Sequence, residues 1–157
     1  MRRVVVIGVG NEFRRDDGIG PEVVSRLRGR TAEGVELLVS DGEPTRMIEA
    51  WAGAALAVVV DAVLTGRPSP GRLHRIVIGR TGLPPGRPVS SHGLGPPDAV
   101  ALARALGRMP GQLIVHAIEA ADVGPGLGLT PAVAAAAEAL TDEVARDLEA
   151  GYRSPDC

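Results

Sequence analysis

Lysine is absent from this chain, and all 17 basic residues are arginines. That one-sidedness reads as a compositional bias and carries no function. Cysteine is nearly absent as well. The single Cys157 is the last residue, which leaves no disulfide framework, no cysteine-ligated metal site and no thiol nucleophile. Aromatic residues make up only 2% and the net charge is −2, so the chain offers neither stacking platforms nor a basic face for nucleic acid. No apolar run is long enough to span a bilayer. Met1-Arg2-Arg3 and the short apolar run behind it lead into Glu12, Arg14, Arg15, Asp16 and Asp17 with no small-residue cleavage pattern, so no signal peptide is read and a cytoplasmic location is expected. No Gly-x-Ser-x-Gly elbow supports a serine hydrolase. The Asp-Thr-Gly or Asp-Ser-Gly of a pepsin-like acid dyad is also missing.

What is present is a chain of 157 residues, 45% of them hydrophobic, sized for one domain over 1–157 with a core of Val, Leu, Ile and Ala. Its organising stretch runs from Val4 to Gly20. A β-branched run reads as a buried strand, Gly8 and Gly10 turn the backbone at its end, and Asp16-Asp17 precede a helical pattern. A strand ending in Gly-x-Gly raises dinucleotide binding. The third glycine of that fingerprint would fall at Phe13, the helix starts too late to receive a pyrophosphate, and two carboxylates occupy the phosphate's place. Asp41 alone mimics a ribose-binding acid, and no nucleotide is expected.

Ile19, Val23 and Leu27 recur at helical spacing behind Pro21, and Val35–Val39 reads as a second strand. A short helix over Thr45–Trp51 follows, and the apolar run Ala55–Val60 reads as a strand covered on both faces, ending at Asp61. This alternation predicts a parallel sheet with helices on both sides. Leu73–Ile78 follows too closely for a helical crossover and is predicted as an antiparallel edge strand. The segment Arg80–Ser91 is then free to bring His92 back to the carboxylates. Pro97–Leu106 is a helix, Gln112–Ile118 a fifth strand ending at Glu119, and Ala120–Leu129, with three alternating glycines, an exposed and adjustable loop. Thr130-Pro131 starts the last helix as its N-cap, and the helix is expected to stop at Gly151.

Ligands of such sheets bind beyond the carboxyl ends of the strands. Asp17, Asp41 and Asp61 each follow one of the first three strands and are predicted to share that edge. Each has a plainer reading. Asp16 and Asp17 suit a helix N-terminus, Asp61 a strand cap, Asp41-Gly42 a turn, and His92 a surface or capping role. A carboxylate interrupting the apolar segment Ala55–Val63 favours function for Asp61, because burying it unpartnered is costly. Imidazole with two carboxylates suits a divalent transition metal, nickel and zinc included. His74 and His116 lie within strands and read as structural, and the roles of Asp16 and Glu119 stay open.

Gly8-Val9-Gly10-Asn11, Asp16-Asp17-Gly18-Ile19-Gly20, Asp41-Gly42, Val60-Asp61-Ala62, Ser91-His92-Gly93-Leu94 and Gly128-Leu129-Thr130-Pro131-Ala132-Val133 together resemble the hydrogenase maturation proteases, collinearly over nearly the whole chain. The resemblance implies a three-layer α/β/α sandwich with a mostly parallel five-stranded twisted sheet and one antiparallel edge strand. It implies an endopeptidase that trims a short C-terminal peptide from the precursor of a nickel-iron hydrogenase large subunit after nickel insertion. Carried over, Asp17, Asp61 and His92 are the metal ligands, with nickel supplied by the substrate. Asp41, Asp17 and Asp61 are the catalytic candidates. The family's Asp-Gly-Gly-Thr is Asp41-Gly42-Glu43-Pro44-Thr45 here. The expected partner is the large-subunit precursor, and the free protein is expected to be a monomer. A rival of another class is a non-enzymatic nickel-dependent chaperone for the same subunit.

Overall fold

The run Val4–Val9 buries every one of its residues, which a strand does only when helices cover both faces of its sheet. The computed structural model describes residues 2–78 and 97–152. Its five strands are β1 (Val4–Val9), β2 (Val35–Ser40), β3 (Leu56–Val63), β4 (Leu73–Ile78) and β5 (Gln112–Glu119). They lie in the order β2-β1-β3-β5-β4. The first four in that order run parallel, and β4 pairs antiparallel with β5 at the edge. The helices are α1 (Ile19–Leu27), α2 (Pro44–Trp51), α3 (Pro97–Ala105) and α4 (Pro131–Tyr152), with a 3-10 turn over Arg15–Gly18 ahead of α1. This is the α/β architecture expected from the alternation of strands and helices, edge strand included.

The period of two along each strand sorts the side chains into two cores. Val4 and Val6, Val58 and Val60, Ile114 and Ile118 face α1 and α4. Val5 and Ile7, Ala57 and Val59, Leu113 and Val115 face α2 and α3. Helix α4 answers with Val133, Ala137, Leu140, Val144 and Leu148, a stripe at spacings of three and four that keeps one face inward. Helix α2 contributes Met47, Ile48 and Trp51. No helix among the described residues is long and apolar enough to cross a membrane.

Two of the boundaries that differ from the sequence reading have a cause in the packing. Strand β3 does not end at Asp61 but continues to Val63, pairing Asp61 with Ala117 and Val63 with Glu119 of β5. Asp61 is therefore held by a sheet ladder and not by a loop. Helix α4 runs through Gly151 to Tyr152. A Cβ at Gly151 would press on Leu56, so this glycine serves close packing and is no helix stop.

Helix α1 and strand β1 meet backbone to backbone. A Cβ on Gly8 would collide with the Gly20 carbonyl, and one on Gly20 would overlap the backbone N and O of Val9. The pair lets α1 lie directly on the strand, and so sets where the preceding 3-10 turn meets the sheet. Gly20→Ala is expected to destabilise the protein by about 3 kcal/mol, because backbone cannot yield as a flexible side chain would. Gly66, where an added Cβ would meet nothing within 4 Å, is expected to accept Ala within about 0.5 kcal/mol. Urea unfolding of the two variants checks the contrast.

Candidate functional site

Beyond β1 the chain reverses at Gly10, whose φ is +136° and whose missing Cβ leaves room for the Asp17 carbonyl. Only glycine meets both demands. The Asn11 N–H then donates to the Asp17 carbonyl at 3.1 Å and to Asp17 Oδ2 at 3.0 Å. Asn11 Oδ1 accepts from the Phe13 N–H at 2.9 Å. The 3-10 turn thus folds back on the strand end and fixes the Asp17 carboxylate there.

The adjacent acids divide. Asp16 is fully buried, and its carboxylate accepts from the N–H groups of Ala121 at 2.8 Å, Asp122 at 3.1 Å and Thr130 at 2.7 Å. The Thr130 hydroxyl adds bonds at 2.9 and 2.7 Å. Burial pushes the Asp16 carboxyl up, but the bonds from Thr130, Ala121 and Asp122 outweigh it and hold the group below its ordinary value. The loop after β5, expected to be adjustable, is therefore pinned. Gly126 N–H donates to the Phe13 carbonyl at 2.9 Å and Arg15 N–H to the Gly126 carbonyl at 3.0 Å. Arg15 takes φ +46° to do so. Glycine count could not reveal an anchor more than a hundred residues away in sequence.

Asp17 is half-buried and turns the other way, towards β3. There Asp61 Oδ1 accepts from the Ala62 N–H at 2.8 Å. Burial pushes the Asp61 carboxyl up to about 7, the Ala62 bond offsets part of the rise, and the negative charge of Asp17 adds to it. Two carboxylates are thereby held at one sheet edge. The nearby guanidinium of Arg14 stands 3.8 Å from Asp17 Oδ2 and is more than half exposed, so it screens the pair weakly. Such a pair takes up either a proton or a cation. Among the described residues no group of three His, Cys, Asp or Glu side chains is placed to hold a metal ion. Asp17 and Asp61 are thus two oxygen donors to which other ligands must be added. His92, the expected third ligand, lies outside the described residues.

Asp41 follows β2 but is exposed, accepting from Glu43 N–H at 3.0 Å and from Arg46 Nη1 at 2.6 Å. The segment around it builds the start of α2. Glu43 caps the helix by accepting from the N–H groups of Thr45 and Arg46, with Pro44 in the first turn. Glu119, whose role the sequence left open, anchors the loop after β3. It accepts from the Thr65 hydroxyl at 2.9 Å and the Ser69 N–H at 3.1 Å, and pairs with His74 Nε2 at 3.0 Å. The His74 bond, stronger than the burial opposing it, holds its carboxyl below the ordinary value.

His116 is fully buried on β5 and pairs through Nε2 with Asp147 of α4 at 2.5 Å. Arg75 of β4 reaches the same carboxylate at 2.7 Å. Burial, opposed by Asp147, holds His116 below the usual histidine range. This group ties α4 to the sheet, and sequence spacing gives no sign of it because its members come from three elements. A cleft lined by Arg30, Ala32, Val35, Ala145 and Leu148 lies at the strands' opposite ends, away from the carboxylates.

A family model described as hydrogenase maturation protease matches residues 21–147. The chain is 27% identical over 146 residues to the hydrogenase 2 maturation protease of Escherichia coli K12, a match covering 90% of this chain and 88% of that one. The hydrogenase-maturating endopeptidase HybD of E. coli superposes with a TM-score of 0.77 at 24% identity, covering 94% of this chain and 93% of that chain. A hydrogenase 2 maturation peptidase from a Thaumarchaeota archaeon gives a TM-score of 0.70 at 26% identity, over 94% of this chain and 98% of that chain.

The Asp16 anchor yields a pH-dependent expectation. Its folded value lies below the unfolded one, so its stabilisation is complete above about pH 4 and is lost as pH falls further. Asp16→Asn turns an amide donor towards N–H donors and is expected to cost about 3 kcal/mol at neutral pH. The gap to the unaltered protein should narrow below about pH 4. Thermal unfolding from pH 3 to 8 measures it, and faster amide exchange at Ala121, Asp122 and Thr130 locates it.

Proposed function

Because the chain belongs to the hydrogenase maturation protease family, and so to the peptidases, we propose that it removes a short C-terminal peptide from the precursor of a nickel-iron hydrogenase large subunit, acting once nickel is in place. One observation carries this reading: Asp17 and Asp61 are held together at a sheet edge, where burial, with the charge of Asp17 added, pushes Asp61 up to about 7. Two like-charged oxygen donors suit a cation, and the nickel-loaded precursor brings one.

The discrimination follows from the charges. A precursor without nickel would cover the two carboxyl groups with no cation for them to ligate, while a loaded one supplies an ion that both can hold. Asp61 gives up its proton as the ion arrives, since a carboxylate ligand must be ionised. His92 supplies the third ligand from this chain, imidazole being well suited to nickel. The substrate's ion then fixes the scissile bond in register against Asp17 and Asp61. Water adds across that amide. Asp41 takes the water's proton after leaving its exposed Arg46 partner, and the leaving amine receives it. The enzyme works on this partner in the cytoplasm, as a monomer when free.

Incubating the protein with nickel-loaded and nickel-free precursor, and weighing the products by mass spectrometry, tests the reading. Shortening of the loaded form alone is expected, and Asp17→Asn should lower kcat/KM at least about a thousandfold without unfolding the protein. Equal cleavage of both forms would remove nickel from recognition.

A further inference from the structure

Each of the four parallel strands, or the loop that leaves its carboxyl end, carries a large uncovered apolar side chain. Phe13 after β1 is 61% exposed, Val39 in β2 is 53%, Leu64 after β3 is 49% and Leu127 after β5 is 71%. Single exposed leucines are ordinary, but apolar groups on cross-linked loops beside a polar centre mark an interaction surface. Phe13 is also the only phenylalanine in the chain. Its exposure leaves unused one of the few large rings available to the core.

Phe13 and Leu127 are held more firmly than their exposure suggests. Gly126 N–H donates to the Phe13 carbonyl at 2.9 Å, and Arg14 and Gly126 form a β-bridge. The Asp16 carboxylate pins both ends of the Leu127 loop. Two uncovered apolar groups on loops cross-linked in this way are already ordered, which reduces the entropy lost on binding. Phe13 also lies close to the carboxylates along the chain. Its N–H bonds to Asn11, and the Asn11 N–H bonds to Asp17. An extended peptide advances about 3.3–3.6 Å per residue, so a bond positioned at Asp17 has neighbours that reach this pair within a few residues.

We propose that Phe13 and Leu127 form a subsite that seats an apolar side chain of the precursor beside the scissile bond. The subsite rests on the reading of the chain as a C-terminal processing peptidase. The occupant is a polypeptide, because apolar groups on two ordered loops beside an ionic centre match an extended chain with mixed side chains and not a small polar ligand. Its work is binding and register, separate from the carboxylates that meet the ion and the amide.

The test measures KM and kcat with nickel-loaded large-subunit precursor for the unaltered protein, Phe13→Ser, Leu127→Ser and Phe13→Leu. Each serine variant is expected to raise KM about tenfold with kcat within about twofold, while Phe13→Leu stays within about threefold of the unaltered KM. Unchanged melting temperatures confirm that these exposed substitutions leave the fold intact. If the unaltered protein cleaves and both serine variants keep its KM, the subsite is wrong and the peptidase reading stands. If the unaltered protein does not cleave loaded precursor, the peptidase reading falls and the subsite with it.

Discussion

Two carboxyl groups, Asp17 and Asp61, are kept together near the carboxyl ends of β1 and β3, and the rest of the molecule is arranged to keep them there. Left alone they would part or take up a proton. They cannot part, because Asp61 sits inside a strand laddered to β5 and Asp17 sits on a turn bonded to Asn11 at the end of β1. The Gly8–Gly20 contact sets the depth of that turn, since α1 can lie on β1 only where neither residue carries a Cβ. Strain of this kind belongs to sites and not to cores. The two apolar layers on either side of the sheet supply the stability that holds it.

Asp16 and Asp17 show how adjacent residues of one type take opposite tasks. A tight turn points neighbouring side chains in different directions. Asp16 goes inward to a full set of hydrogen-bond donors, and Asp17 goes to the sheet edge beside a like charge. The first is a structural anchor held ionised, and the second adds its charge to the burial that makes Asp61 hard to ionise. The anchor matters to the site because it fixes the loop after β5, which carries Leu127 to the same rim as Phe13.

The strand and helix order was legible because both periodicities are strong and because a β-branched run without alternation implies cover on both faces. The antiparallel edge strand was legible from a connection too short to cross over. Asp17 and Asp61 at one edge followed from the topology. What the sequence hid was long-range. Asp16's donors come from residues 121–130, Glu119's from the loop after β3, and His116, Asp147 and Arg75 meet from three separate elements. Local signals also misled where tertiary contacts overrode them. A charge does not end β3, a glycine does not end α4, and a glycine-rich loop is not adjustable once a buried carboxylate binds it at both ends.

The hindered ionisation of Asp61, set by burial and raised further by the charge of Asp17, is the claim beneath the rest, and a carboxyl carbon titration by NMR reads it directly in the protein without substrate. The Asp61 resonance should titrate near the value of about 7 set by burial and by Asp17, and its midpoint should fall when Asp17 is replaced by Asn. An Asp61 midpoint in the ordinary range near 4, unmoved by that replacement, would contradict the account.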